Sequence, residues 1–198
     1  MNTQLFEGER VRLTPHDPEK DAGIESKWTH DAEYLRRLSA DPARPLPPGQ
    51  IKKKYEEAEK EKNPNRFSFA VRARADDRLI GFVRLEGIEW NNGSGRLALG
   101  VGAAEDRGQG YGAEALRLVL RYAFEELNLH RLAATVAEDN TGALRFFERA
   151  GFTVEVRRRE ALHRDGRRWD ELFLGLLREE WEKQDPKSQD SNSKREAG

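Results

Sequence analysis

The chain of 198 residues contains no cysteine, which excludes disulfide frameworks, thiolate metal sites and cysteine nucleophiles. Its four histidines, at 16, 30, 130 and 163, include no i, i+4 pair, so no metal is expected. Neither sign of charge dominates. Lysine and arginine number 35 against 36 aspartates and glutamates, a net charge of -1 that gives no global attraction to nucleic acid or an anionic membrane. No apolar run approaches the roughly 18 residues of a membrane span. The first ten residues lack the apolar core of a signal peptide, and a cytoplasmic location is expected. What is abundant is charge of both signs, 36% of the chain, as on a heavily solvated surface.

Alternation and spacing mark out the elements. Glu9 to Thr14 alternates around Val11 and Leu13 and stops at Pro15, as a first strand does. Ile24, Trp28, Tyr34, Leu35 and Leu38 are spaced for one or two short helices. Four prolines between Asp41 and Gly49 forbid helix there, and Gln50 to Lys62 follows as a charged surface helix. Phe67, Phe69 and Val71 alternate as a strand, Leu79 to Trp90 reads as its antiparallel partner, and Arg96 to Ala103 as a third strand. Gly100 and Gly102 leave one face of that third strand bare, which predicts a bulge or a ligand against the backbone. Gly112 to Leu127 carries the clearest helical period, through Leu116, Val119, Leu120, Ala123 and Phe124. A strand over Arg131 to Ala137, a helix over Thr141 to Ala150 and a hairpin of Thr153 to His163 with Trp169 to Leu177 complete the order. Residues 185–198 are polar and are expected to form a disordered tail beyond one domain over 1–184. The sequence of elements predicts an α+β, mixed α/β fold and not a regular βαβ array.

Arg107, Gly108, Gln109, Gly110, Tyr111 and Gly112 stand between a strand and the best helix. Unpaired N–H groups and the helix dipole favour an anion there, the dipole by roughly 0.3–1 kcal/mol, and glycines let a phosphate come close. Arg107 is expected to add its charge to that cradle. A dinucleotide fold is matched by Gly108, Gly110 and Ala113, but no acidic residue follows about 20 residues on. A P-loop needs lysine and serine or threonine after the last glycine, where Ala113 and Glu114 stand. A plain glycine turn entering a helix is the remaining reading.

Arg107-x-x-Gly110-x-Gly112 is followed by a helix, a short strand and Asn140-x-x-Ala143-x-x-Phe146-Phe147-Glu148-Arg149-Ala150-Gly151-Phe152. The pair of motifs resembles the GCN5-related N-acetyltransferase superfamily over about residues 7–182. Arg10-Val11-Arg12-Leu13, Trp28 to Glu33 and Leu177 to Trp181 resemble its branch of ribosomal-protein alanine and spermidine acetyltransferases. The resemblance implies a mostly antiparallel central sheet with splayed parallel strands flanked by helices. It also implies acetyl-coenzyme A as co-substrate, with pantetheine along the backbone at Val101 and Gly102, pyrophosphate on residues 107–112, and contacts from Asn140 and Phe147.

Relatives often carry a general base where this chain has Leu97 and an acidic tyrosine where it has Phe147. Glu86, Glu89, His30 and Asp139 are therefore the candidate bases, each with a surface or structural role as its alternative. A thiol with pKa about 8.5 leaves as thiolate near neutrality without a dedicated acid. The expected activity is acetyl transfer to a primary amine by direct attack, with backbone amides polarising the thioester carbonyl. The acceptor is expected to be a protein N-terminus or an amino-acid-like amine. A polyamine or aminoglycoside acceptor, or a non-catalytic acyl-coenzyme A module, are the alternatives. The exposed late strands make a homodimer an expected partner state.

Overall fold

The computed structural model describes residues 4–184; the expected disordered tail lies outside them. Two compact units divide the chain. The first runs to Ile88 and adds Leu97–Leu127; the second comprises Glu89–Arg96 and the residues from Asn128 onward.

In the first unit β1 (Val11–Thr14), β2 (Phe67–Ala73), β3 (Leu79–Glu89) and β4 (Ser94–Val101) follow one another in the sheet. Val11 pairs with Ala73 and Ser68 with Arg84, both antiparallel. Helices α1 (Pro18–Trp28), α2 (Ala32–Leu38) and α3 (Pro48–Glu61) precede β2. Asp17 accepts from the amides of Glu19 and Lys20 at the start of α1, with Pro18 pre-set for the first turn. Helix α3 begins at Pro48, within the segment expected to be a helix-free linker, because a proline at the first helical position costs no hydrogen bond. Third-strand boundaries also shift: β4 ends at Val101, and Ala104–Asp106 already forms a short 3-10 turn.

Helix α4 (Tyr111–Arg121) buries Ala115, Leu116, Leu118, Val119 and Leu120. The expected helix is not uniform to its end, because residues Tyr122–Glu126 widen into a π-helical turn closed by Leu127 N–H to Tyr122 O at 3.0 Å. The Tyr122 ring lies 5.4–5.7 Å from those of Phe6, Phe67 and Phe69. Glu114, in the first turn of α4, accepts the backbone N–H groups of Glu9, Arg10 and Val11 at 2.6, 2.7 and 2.9 Å. One carboxylate thus fastens the entry of β1 to the start of α4, and the backbone at Gly8 comes so close that a Cβ there would lie 2.4 Å from Glu114.

The second unit takes the first residues of β4, β5 (Arg131–Ala137), β7 (Arg167–Leu177) and β6 (Thr153–Arg164), in that spatial order. Parallel pairing of β4 with β5 covers Ser94–Arg96 against Arg131–Ala133; the β5–β7 and β6–β7 pairs are antiparallel. Helix α5 (Thr141–Arg149) precedes β6, and α6 (Arg178–Gln184), not foreseen as an element, follows β7. Leu132, Leu172, Leu174, Leu176 and Phe152 are its buried core. The mostly antiparallel α+β architecture with one parallel pair is as expected.

A buried ion pair stands inside the first unit. Arg72 on β2 donates to both oxygens of Asp21 on α1 at 2.7 and 2.8 Å, and Asp21 has no exposed surface. Its carboxylate also accepts from Asp17 N–H at 2.8 Å, and Arg72 Nε donates to Thr14 at 3.1 Å. Removing one partner strands a buried charge. Arg72→Met is expected to lower unfolding free energy in urea by about 3–5 kcal/mol; a loss below about 1 kcal/mol would mean that the pair carries no such burden.

Candidate functional site

The glycine loop is built for close approach. Gly108 and Gly110 sit at φ 76° and 88°, in the left-handed region open to glycine, and a Cβ at Gly108 would meet nothing within 4 Å. Gly110 is the N-cap of α4 and has no side chain to cap it, so the first N–H groups of the helix have no intrahelical acceptor. Arg10 reaches the loop, its Nη1 donating to Gln109 O at 2.9 Å. An open depression of about 620 Å³ beside Tyr111 is lined by Glu9, Arg10, Ala73, Arg74 and Ala75. Arg10 and Arg74 are cations of the loop region that sequence reasoning did not single out for charge.

Arg107, in contrast, does not point its charge into the cradle. Its guanidinium donates to Asp31 at 3.0 Å, to Gly102 O at 2.6 Å and to Val101 O at 3.3 Å, and lies 5.4 Å from the Tyr34 ring centroid. Asp31 uses its other oxygen to cap α2, accepting from Tyr34 N–H at 3.0 Å. Tyr34 N–H and the Arg107 guanidinium hold the Asp31 carboxyl below the usual carboxylate range. Arg107 is a brace between the end of β4 and the turn from α1 to α2. The bare face of β4 is likewise occupied by protein: a Cβ at Gly102 would lie 2.0 Å from the Trp28 ring, and one at Gly100 2.7 Å from Phe82 and 3.0 Å from Leu38. Gly102 N–H is committed to Ile80 O at 2.9 Å. These glycines admit Trp28, Phe82 and Leu38 against the backbone.

Among the expected bases, Glu86 is in the first unit, 3.8 Å from Arg84, and His30 is exposed beside Asp31. Glu89 and Asp139 are in the second unit, Glu89 accepting from Asn92 and Ser94, and Asp139 lying 3.9 Å from Arg164. Leu97 is core. In the second unit Asn140 caps α5 through Ala143 N–H at 3.1 Å, and Phe147 is buried with its ring centroid 5.2 Å from those of Phe146 and Phe152.

A polar cluster on the helix-covered face of the first unit escaped the sequence. His16 stacks on Tyr55 of α3 at 4.6 Å and its Nε2 lies 3.1 Å from Ser68 Oγ. Tyr55 donates its hydroxyl to Glu25 of α1. Burial raises the Glu25 carboxyl above the ordinary value, and burial with the Glu25 charge also raises Tyr55 and Tyr34. Arg84 adjoins the group and lies 5.0 Å over Phe82. The charged stretch read as a surface helix hides this, because only Ile51 and Tyr55 among its residues mark the inward side.

A glycine-lined loop opening an amphipathic helix, behind a meander of antiparallel strands, is a ready-made anion site. The Acetyltransferase (GNAT) domain family matches residues 10–153, and the chain belongs to that family. "Probable N-acetyltransferase YjcK" of Bacillus subtilis (strain 168) is 32% identical over 179 residues, 87% of this chain and 97% of that protein. The spermidine N(1)-acetyltransferase of Vibrio cholerae is 30% identical over 107 residues, 54% of this chain and 61% of that one. In structure, the V. cholerae spermidine N-acetyltransferase in complex with CoA and spermine matches with a TM-score of 0.77 at 21% identity, covering 88% of this chain and 99% of that one. The protein is an acetyl-coenzyme A-dependent N-acetyltransferase that acylates an amine.

Burial, followed by the charges of Arg84, Arg72 and Arg66 and against the pull of Asp21, lowers the His16 pKa from 6.5 to about 4. The unfolded chain therefore binds more protons between those values, and stability rises with pH across the window. The contribution is present above pH 6.5 and is lost as the pH falls towards 4. Thermal unfolding of His16→Gln should show a shallower pH dependence from 6.5 to 4 than the wild type; identical slopes would place His16 outside the linkage.

Proposed function

We propose that the acceptor is an α-amine, of a protein N-terminus or an amino-acid-like molecule, and that it attacks acetyl-coenzyme A directly in a ternary complex. The amine nitrogen forms a bond to the thioester carbonyl carbon, the C–S bond breaks with its electron pair leaving on sulfur, and the amine proton passes to a base. Water then protonates the thiolate. The pyrophosphate sits on the free amides at the start of α4, with Arg10 and Arg74 as nearby cations. The observation that carries the reading is the contact of Arg107, first residue of the donor loop, with Tyr34. Glu25 and Arg84 both act electrostatically on that same Tyr34.

Acceptor basicity supports the α-amine. The amine of a peptide N-terminus, with a pKa of about 7.7–8.0, is roughly a tenth neutral at pH 7, whereas an alkylamine near 10.4 is neutral about once in 2,500. Glu25 is the proposed proton acceptor, since burial raises its carboxyl and Tyr55 fixes its orientation. Asn140 and Phe147 retain only the proposal of cofactor contact, beside the capping and packing roles described above.

Thiol release from acetyl-coenzyme A over a panel of N-terminal peptides, amino acids, spermidine and aminoglycosides tests the acceptor class. Faster turnover on spermidine than on every α-amine contradicts it. In the same assay Arg10→Ala should raise the acetyl-coenzyme A KM about tenfold with little change in kcat, as loss of one charge-assisted phosphate contact does; an unchanged KM removes Arg10 from the donor site. Glu25→Gln should lower kcat by about a hundredfold. It should also abolish the acid limb of kcat/KM, which in the wild type falls as Glu25 is protonated, above the ordinary carboxylate range. A variant with the wild-type limb would exclude Glu25 as base.

A further inference from the structure

We propose that Arg66 and Arg84 form a carboxylate-binding subsite on the helix-covered face of the first unit, so that the amine acceptor is a molecule that also carries a carboxylate. The proposal rests on the α-amine reading above and narrows it.

The strands put the two arginines together. Ser68 pairs with Arg84 across β2 and β3, and Phe67 with Leu85. Arg66 immediately precedes β2, two residues before Ser68, and its charge bears on both Arg84 and His16. Neither guanidinium is used as other arginines of this unit are. Arg72, Arg78 and Arg107 each donate to a carboxylate at 2.6–3.0 Å. Arg66 makes no side-chain hydrogen bond or ion pair among the described residues, and Arg84 has only Glu86 at 3.8 Å and the Phe82 ring.

The Nε atoms of both Arg66 and Arg84 are buried without a hydrogen-bond partner, and so is His16 Nδ1 beside them. A buried N–H left unmade costs about 1–3 kcal/mol, more on a charged group, so the two guanidinium Nε–H groups call for an acceptor. A guanidinium presents planar paired donors that match a carboxylate. The charge balance fits a single negative charge. Arg84 has Glu86 at 3.8 Å, and Arg66 has no carboxylate within ion-pair distance among the described residues, so one guanidinium remains to be matched. Solvent can reach the group, since the Arg84 side chain retains 30% of its exposure and Glu86 37%.

Within such a site the carboxylate of the acceptor lies on Arg66 and Arg84 and the amine faces Glu25. An amino acid or a short peptide with a nearby acidic group meets that requirement. A polyamine does not, because its second cation would face the guanidiniums of Arg66 and Arg84.

The test is calorimetric binding of N-acetylated amino acids and of the corresponding N-acetyl amino-acid amides to the intact protein, with acetyl-coenzyme A titrated separately. Acids are expected to bind at least tenfold more tightly than their amides. Arg66→Gln and Arg84→Gln should erase that difference while leaving acetyl-coenzyme A affinity unchanged. Arg66→Gln breaks no hydrogen bond in the protein, so it should stay folded even where Arg84→Gln does not. Turnover gives a second readout: the amide of an amino acid has the less basic amine, so chemistry alone favours it, and a kcat/KM preference for the free acid runs against that bias. Equal binding of acid and amide, binding of neither, or an equal loss of both in Arg66→Gln overturns the subsite. Failure of the wild type to bind acetyl-coenzyme A sinks the donor reading instead, and the acid and amide comparison still decides the subsite.

Discussion

The guanidinium of Arg107 is the constraint on which the glycine-loop side of the first unit depends. It spends its fork on Asp31 and on the carbonyls of Val101 and Gly102, and covers the ring of Tyr34. A charge-assisted hydrogen bond is worth about 1.5–3 kcal/mol. The bond to Asp31 is partly solvated, with side chains a third exposed, and lies at or below that range. Its effect is geometric more than energetic. The end of β4, the turn before α2 and the first residue of the glycine loop are held by one planar group, and Asp31 transmits the hold to α2 by capping it.

What lies beyond Arg107 follows from helix ends. Gly108 and Gly110 take left-handed conformations that bring the chain round to α4 with its first amides uncapped. A carboxylate in the first turn would normally compete for those amides, yet Glu114 is turned back to the amides of Glu9, Arg10 and Val11. That leaves the helix start available to a ligand anion, and it also sets Arg10 against Gln109. Positive charge at the loop comes from the strand Glu114 fastens, not from the loop's own arginine.

The glycine loop, the helix after it, β5 with its expected limits and the hairpin of β6 and β7 were legible in the chain, because each is written in local terms: glycine placement, a 3.6-residue period, alternation and an Asp-Gly turn. Side-chain direction is not local. Arg107 reads as a loop cation until Asp31, 76 residues earlier, is brought to it. Gly100 and Gly102 read as a bare face because the sequence does not tell which face Trp28 and Leu38 will fill. Glu25, Tyr55 and His16 come from three separate stretches, two of them rich in charge, and only packing shows that they share a buried patch. The π-helical turn at Tyr122 was hidden for the opposite reason: its apolar residues keep a helical spacing on both sides of the widened turn.

Amide hydrogen exchange of the whole protein with and without acetyl-coenzyme A tests the central claim most directly, because the claim is that backbone N–H groups at the start of α4 hold the donor. Protection of the amides from Gly108 to Ala113 on adding acetyl-coenzyme A, and its absence with pantetheine, which carries no phosphate, is the predicted result. Saturating acetyl-coenzyme A that leaves those amides exchanging as before, in a protein that remains folded and binds it, would contradict the account.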